Sequence, residues 1–159
     1  MKRLFLVAAS IVFVACSDEQ ASLVSDDLIP ARIADVIDYR DDGVAVVLKG
    51  KDWPLVSIVI SHCEARALIV AIQDEDFPRP LSYDLLEEIL ENVYGEVTRL
   101  VVHSLKDNTY YANLYIAKPN GEWVLDCRPS DGMVLVTRFG APIYLKQQVF
   151  EREMQKAQA

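Results

Sequence analysis

Two rhythms of apolar positions alternate along this chain, and the changes between them divide it into elements. Period-two alternation marks part of 31–39, and a β-branched run at 44–48 follows Arg40-Asp41-Asp42-Gly43, turn chemistry that predicts a first hairpin. Residues 50–54 turn the chain into 55–60, where Val56, Ile58 and Ile60 share one face. His62 and Glu64 then open a helical run over 65–72, rich in Ala and Leu that suit close packing on a sheet. After the rigid connector Phe77-Pro78-Arg79-Pro80, Ser82 is the expected cap of a second helix. Asp84 sits in its first turn, Leu85, Leu86, Ile89, Leu90 and Val93 form its apolar stripe, and Gly95 stops it.

Strands at 96–105, 110–117 and 122–125 come next, joined by Lys106-Asp107-Asn108-Thr109 and Pro119-Asn120-Gly121, and predict a meander. A helix begins at Pro129 or Ser130, is filled by Met133, Val134, Val136, Thr137 and Phe139, and stops at Gly140. A short strand at 141–145 and a polar helical tail from Gln147 complete the pattern. The strand at 55–60 with its helix and the strand at 123–125 with its helix share one plan, which suggests a duplicated strand-helix unit.

The first residues follow a different order. Lys2 and Arg3 precede an almost wholly apolar run over 4–14, and Ala15 precedes Cys16. That is the order of an export signal, too short for the roughly 20 residues that a membrane-crossing helix needs. It resembles a bacterial lipoprotein signal, with cleavage at Ala15/Cys16 and Cys16 as the lipidated residue. Phe13 stands where Leu is more usual. Residues 1–16 are therefore expected to be a signal peptide and 17–30 a flexible acidic tether, with the folded domain at 31–151 and a polar tail at 152–159. The expected location is the bacterial cell envelope, on the periplasmic face of a membrane, with the lipid bilayer as partner through Cys16.

Loss of residues 1–16 removes Lys2 and Arg3 and no acid, taking the formal charge from −8 to −10. A domain this acidic repels nucleic-acid phosphates at long range, so it has no strong basic footprint for DNA or RNA, and binding a polyanion requires a local basic cluster or a bridging cation. Cys63 and Cys127 are too few for a disulfide scaffold, and whether they pair is open. His62 and His103 have no metal-binding spacing. Parity places His103 on the face of Val101 and Leu105, where partial burial is expected. Tyr110, Tyr111 and Tyr115 lack interleaved Lys or Arg and do not make a base-stacking surface.

Chemistry concentrates in Asp126-Cys127-Arg128-Pro129-Ser130-Asp131, where one guanidinium stands between two carboxylates at a strand-to-helix junction. Phosphodiester hydrolysis needs an activated water and neutralisation of phosphate charge, which carboxylate-held Mg2+ or Mn2+ can supply. Asp126, Asp131 and Glu64 are the candidate metal ligands, with Asp84 and Asp107 weaker ones, and Arg128 the candidate phosphate clamp. The competing reading makes Asp126 and Asp131 partners of Arg128 and of helix-end amides, Asp84 a helix-start acid and Asp107 a turn residue.

Five separated runs, Ser61-His62-Cys63-Glu64-Ala65, Arg79-Pro80-Leu81-Ser82-Tyr83-Asp84-Leu85-Leu86, Leu105-Lys106-Asp107-Asn108-Thr109-Tyr110-Tyr111-Ala112, Asp126-Cys127-Arg128-Pro129-Ser130-Asp131-Gly132 and Gly140-Ala141-Pro142-Ile143-Tyr144, resemble the bifunctional nuclease domain family in residues and order. The resemblance spans about residues 31–151. It implies an α+β fold, a mixed, largely antiparallel sheet with packed helices, and DNase and RNase activity of some members. Glu64, Arg79, Asp84, Asp107, Asp126, Arg128, Ser130 and Asp131 carry over. Tyr83 stands where the family commonly has His, which removes a proton shuttle, and Gly132 where it commonly has Ala. The expected function is therefore a metal-dependent nuclease with Asp126, Arg128, Asp131 and Glu64 as catalytic residues, tethered in the envelope. The alternative is a non-catalytic, lipid-anchored binding or assembly domain that engages another copy, a homo-oligomer, or an envelope protein.

Overall fold

A computed structural model describes residues 27–39 and 43–156. The signal segment with Cys16, most of the tether and the end of the polar tail lie outside the described residues. Among the described residues no helix is long and apolar enough to cross a membrane.

The chain forms β1 (Leu28–Asp38), β2 (Val44–Gly50), β3 (Leu55–Ile60), α1 (His62–Gln73), α2 (Ser82–Asn92), β4 (Glu96–Lys106), β5 (Thr109–Lys118), β6 (Gly121–Cys127), α3 (Pro129–Arg138), β7 (Ile143–Lys146) and α4 (Gln147–Lys156). Among the described residues these are four helices and one seven-stranded sheet in the order β3-β2-β1-β7-β4-β5-β6. Each pairing is antiparallel except β4 with β7. The fold is thus α+β, with a mixed, largely antiparallel sheet. β1 takes in Leu28–Pro30, which the sequence pattern assigns to the tether, because they pair with Lys146, Leu145 and Tyr144 of β7.

The duplicated plan is larger than one strand and one helix. β1-β2-β3-α1 and β4-β5-β6-α3 are each a three-stranded antiparallel meander followed by a helix, and β7 joins the two between β1 and β4. The sheet curls strongly. The Tyr110 hydroxyl of β5 donates to the Ser57 carbonyl of β3, although four strands lie between them in the sheet order; right-handed twist accumulated across the sheet permits this. The same proton is shared with Glu153, the shorter of the two contacts, which holds α4. Leu48, Val56, Leu68, Leu100, Val102, Met133 and Leu145 fill the core, and α4 adds Val149 and the fully buried Phe150, packed on Trp53. Burial of such an aromatic ring stabilises the fold by about 1.5–3 kcal/mol.

Three expectations change. The cap of α2 is Leu81, not Ser82, and the Leu81 amide donates to Asp84 three residues on. The apolar stripe of α2 is mostly uncovered: Leu85, Leu86, Ile89 and Val93 are exposed, while Leu90 packs on the core. A register shift between Val102 and Ser104 places His103 at an irregularity of β4, so its parity with Val101 no longer holds. His103 remains partly buried, and burial holds its imidazole below the usual histidine range, against Asp126.

Candidate functional site

Curling of the sheet brings together the ends of β3 and β6, and with them the starts of α1 and α3. At both junctions the cap residue is extended: Ser61 with φ −77° and ψ 163°, and Arg128 with φ −67° and ψ 140°. Glu64 and Asp131 occupy the same place, the third residue of each helix, where free amides and the helix dipole favour an acid. The duplicated plan therefore puts two carboxylates in matching positions, and one arginine joins them.

Arg128 Nη1 lies 2.9 Å from Glu64 Oε1. Its Nε donates to Asp131 Oδ2 at 2.7 Å and its Nη2 to Asp131 Oδ1 at 3.0 Å, a two-pronged contact. Tyr83, from α2, donates its hydroxyl to the same Asp131 Oδ1 at 2.8 Å. Ser61 donates to Glu64 Oε2. The side chain of Arg128 is 66% exposed, against 16% for Glu64 and 29% for Asp131, so shielded acids present an open guanidinium to solvent.

Electrostatics follow this wiring. The Ser61 hydroxyl first, then Glu64's own amide and the Arg128 charge, holds the Glu64 carboxyl below its usual range against the effect of burial. Asp131, through hydrogen bonds and charge, pushes Arg128 further above its already high range. Burial, then Asp131, pushes the Tyr83 hydroxyl well up, so it stays a proton donor at neutral pH. Cys127 is pushed up to about 11, by burial first and then by Asp131 and Asp126. Such a thiol is not a nucleophile near neutrality. Both Cys63 and Cys127 are free.

The other candidates lie elsewhere. Asp126 does not join Arg128: Cys127 turns its sulfur toward Gly132 of α3, so alternation along β6 aims Asp126 at the opposite face, beside Asn113 of β5. Asp84 is the third residue of α2, and Arg138, held also by Glu87, claims it. Asp107 and its neighbour Asn108 have φ of 47° and 61°, the left-handed pair of a tight hairpin between β4 and β5. Arg79 is exposed in the connector, and Ser130 is buried at the start of α3. His62 lies 3.5 Å from Asp38 and not at the cluster. The sequence reading missed two participants, Ser61 and Tyr83. The spacing Ser61-His62-Cys63-Glu64 carries the capping-box signal for the first; the second meets Asp131 across 48 residues, beyond any local pattern.

Among the described residues no group of three or more His, Cys, Asp or Glu side chains is placed to hold a metal ion. What converges is a pair of carboxylates, Glu64 and Asp131, neutralised by Arg128. Two carboxylates are too few for a protein-only cage and match only a Mg2+ or Mn2+ that completes its shell with water and substrate phosphate; in this arrangement their oxygens are engaged by Arg128, Ser61 and Tyr83.

The sequence model of the bifunctional nuclease domain matches residues 46–158, a span that contains Glu64, Tyr83, Arg128 and Asp131. The chain belongs to the bifunctional nuclease domain family. Bifunctional nuclease 1 of Oryza sativa subsp. japonica is 31% identical over 111 residues, covering 66% of this chain and 33% of that protein. Bifunctional nuclease 2 of Arabidopsis thaliana is 26% identical over 108 residues, covering 65% and 33%. An uncharacterized protein of Mycobacterium tuberculosis (strain H37Rv) is 29% identical over 92 residues, covering 58% and 54%. The chain spans a third of the plant relatives' length and about half of the mycobacterial one. In this bifunctional nuclease domain, Tyr83 makes a hydrogen bond to Asp131.

Proposed function

We propose that this domain hydrolyses phosphodiester bonds of DNA or RNA at the Glu64-Arg128-Asp131 cluster. The observation that carries the proposal is an exposed guanidinium held between two shielded acids where two helix starts meet. Arg128 offers its outward N–H groups to the non-bridging oxygens of a phosphate, and the adjoining helix starts favour anions. Asp131 fixes the plane of that guanidinium, and Tyr83 fixes Asp131. Glu64 stays ionised at neutral pH and takes a proton from an attacking water as that oxygen bonds to phosphorus and the P–O bond to the leaving oxygen breaks; solvent water returns a proton to the leaving oxygen. Mg2+ or Mn2+, held by Glu64 and Asp131 with the substrate phosphate, would neutralise phosphate charge and acidify a bound water. A lipid tether at Cys16 would place this activity at the envelope membrane.

The test is cleavage of labelled DNA and RNA oligonucleotides by the chain freed of its first 16 residues, titrated with Mg2+, Mn2+ and chelator. Metal-dependent cleavage lost in Asp131→Asn and Glu64→Gln, with the circular dichroism spectrum kept, is the expected result. Cleavage that persists in both variants overturns the proposal.

The exposed Leu85, Leu86, Ile89 and Val93 of α2 favour a second reading, a non-catalytic assembly domain. It predicts a concentration-dependent dimer, and background cleavage that is the same in the native chain and in the Glu64, Arg128 and Asp131 variants.

A further inference from the structure

The arginine cluster has a neighbour of opposite character. A cleft of about 540 Å³ lies between α1 and α2, lined by Ala67, Val70, Leu81, Leu86 and Leu135 and shared with Tyr83, Glu64 and Asp131. Leu81 and Leu86 are 39% and 42% exposed, so apolar surface there is open to water. Arg66 also lines the cleft and makes no ion pair among the described residues. Glu64 lines a second groove of about 360 Å³ as well, in which Arg128, Ser61, Asn108 and Lys156 take part. The ionic cluster thus stands between a largely apolar recess and a groove of mixed lining that holds Arg128 and Lys156 beside Ile58 and Val59, and both cavities have the size of small-molecule sites.

A nucleotide has the same division, a flat base with an apolar face joined through a sugar to an anionic phosphate. We propose that the cleft between α1 and α2 seats an unpaired nucleobase while the adjoining phosphate lies on Arg128, so that the site takes single-stranded rather than duplex nucleic acid. This inference rests on the phosphodiester reading above and adds the substrate class. A base inside a duplex is stacked and paired and cannot enter a recess between two helices without being extruded. The Tyr83 ring and the leucines supply the sequence-tolerant contact that single-strand sites use. Charge points the same way. A duplex carries one negative charge per roughly 1.7 Å of its axis, about twice the density of either strand alone; among the described residues four cations line the two cavities, Arg66, Arg128, Arg138 and Lys156, and Arg138 is already paired with Asp84 and Glu87.

The test compares adenosine 5′-monophosphate with ribose 5-phosphate as probes of the full chain, by calorimetry and amide NMR. It also compares cleavage of one oligonucleotide as a single strand and annealed to its complement. The nucleotide is expected to bind at least about tenfold tighter than the sugar phosphate, in keeping with base–aromatic stacking, and to shift amides of α1 and α2. Leu86→Glu, at an exposed position, is expected to erase that difference and leave ribose 5-phosphate binding unchanged. Leu85→Glu, outside the cleft, is the control and is expected to change neither. The single strand is expected to be cut at least about tenfold faster. Equal binding of the two probes, with equal cleavage of strand and duplex, overturns the base-seating cleft and leaves the nuclease reading standing. Absence of both binding and cleavage removes the two together.

Discussion

Replacing Arg128 by Ala separates a working group from a structural tie. Its side chain is 66% exposed, so each ion pair belongs to the solvent-screened class worth about 0.2–1 kcal/mol, with the two-pronged contact to Asp131 at the upper end. Removal also leaves Glu64 and Asp131 near one another without their counter-charge, yet Ser61 and Tyr83 still donate to them. The total loss is about 1–2 kcal/mol, or a fall of about 3–8 °C in Tm for a domain of this size. Loss of a guanidinium from a phosphate site should by contrast lower kcat/KM by about 10²–10³. Arg128→Lys, which keeps charge but not the fork, should fall between. Thermal melts followed by circular dichroism and oligonucleotide cleavage on the same preparations give both numbers. A melting loss above about 4 kcal/mol would assign Arg128 to the scaffold, and unchanged cleavage in Arg128→Ala would refute the clamp.

Gly132→Ala should destabilise the domain. An added Cβ would sit 2.3 Å from Cδ1 of the fully buried Leu100, and overpacking of about 1–3 kcal/mol outweighs a helix-propensity gain of about 1 kcal/mol; urea unfolding should show the loss shrinking in a Leu100→Val background. Tyr83→Phe should lower stability by about 1 kcal/mol after allowance for partial exposure, and reduce cleavage by loosening Asp131; an unchanged urea midpoint would contradict the hydrogen bond. Glu64 has a folded pKa below its unfolded value, so its contribution is complete above the ordinary glutamate value and is lost as pH falls through the lower folded one. Unfolding measured from pH 6 to pH 3 should therefore show a shallower acid limb in Glu64→Gln than in the native chain.

Local signals carried most of the fold. Turn residues at 40–43 and 106–109, alternation in Leu55–Ile60 and the Pro129 and Gly140 boundaries placed strands and helices close to their observed ends. Cover and distance were not local. The stripe of α2 has the right spacing, but a periodic pattern states which side is apolar and not whether anything lies against it. β6 puts Trp123 and Leu125 on one face and Val124 and Asp126 on the other, and with apolar residues on both, alternation alone did not say which way Asp126 turns. Of the carboxylates proposed from sequence, Glu64 and Asp131 meet because two meanders repeat one plan across a curled sheet. Tyr83 with Asp131, and Arg138 with Asp84, depend on packing between elements some 50 residues apart.

The four-residue strand β7 follows every other strand in the chain yet sits between the two meanders, bonded to β1 on one side and to β4 on the other. Each meander assembles from neighbours in sequence and needs only short closures. Their union does not, because the keystone leaves the ribosome after all the other strands. Before β7 has emerged, β1 and β4 lack the neighbour that joins the two halves of the sheet, so the backbone link between the meanders that carry Glu64 and Arg128 is the last pairing the chain can make.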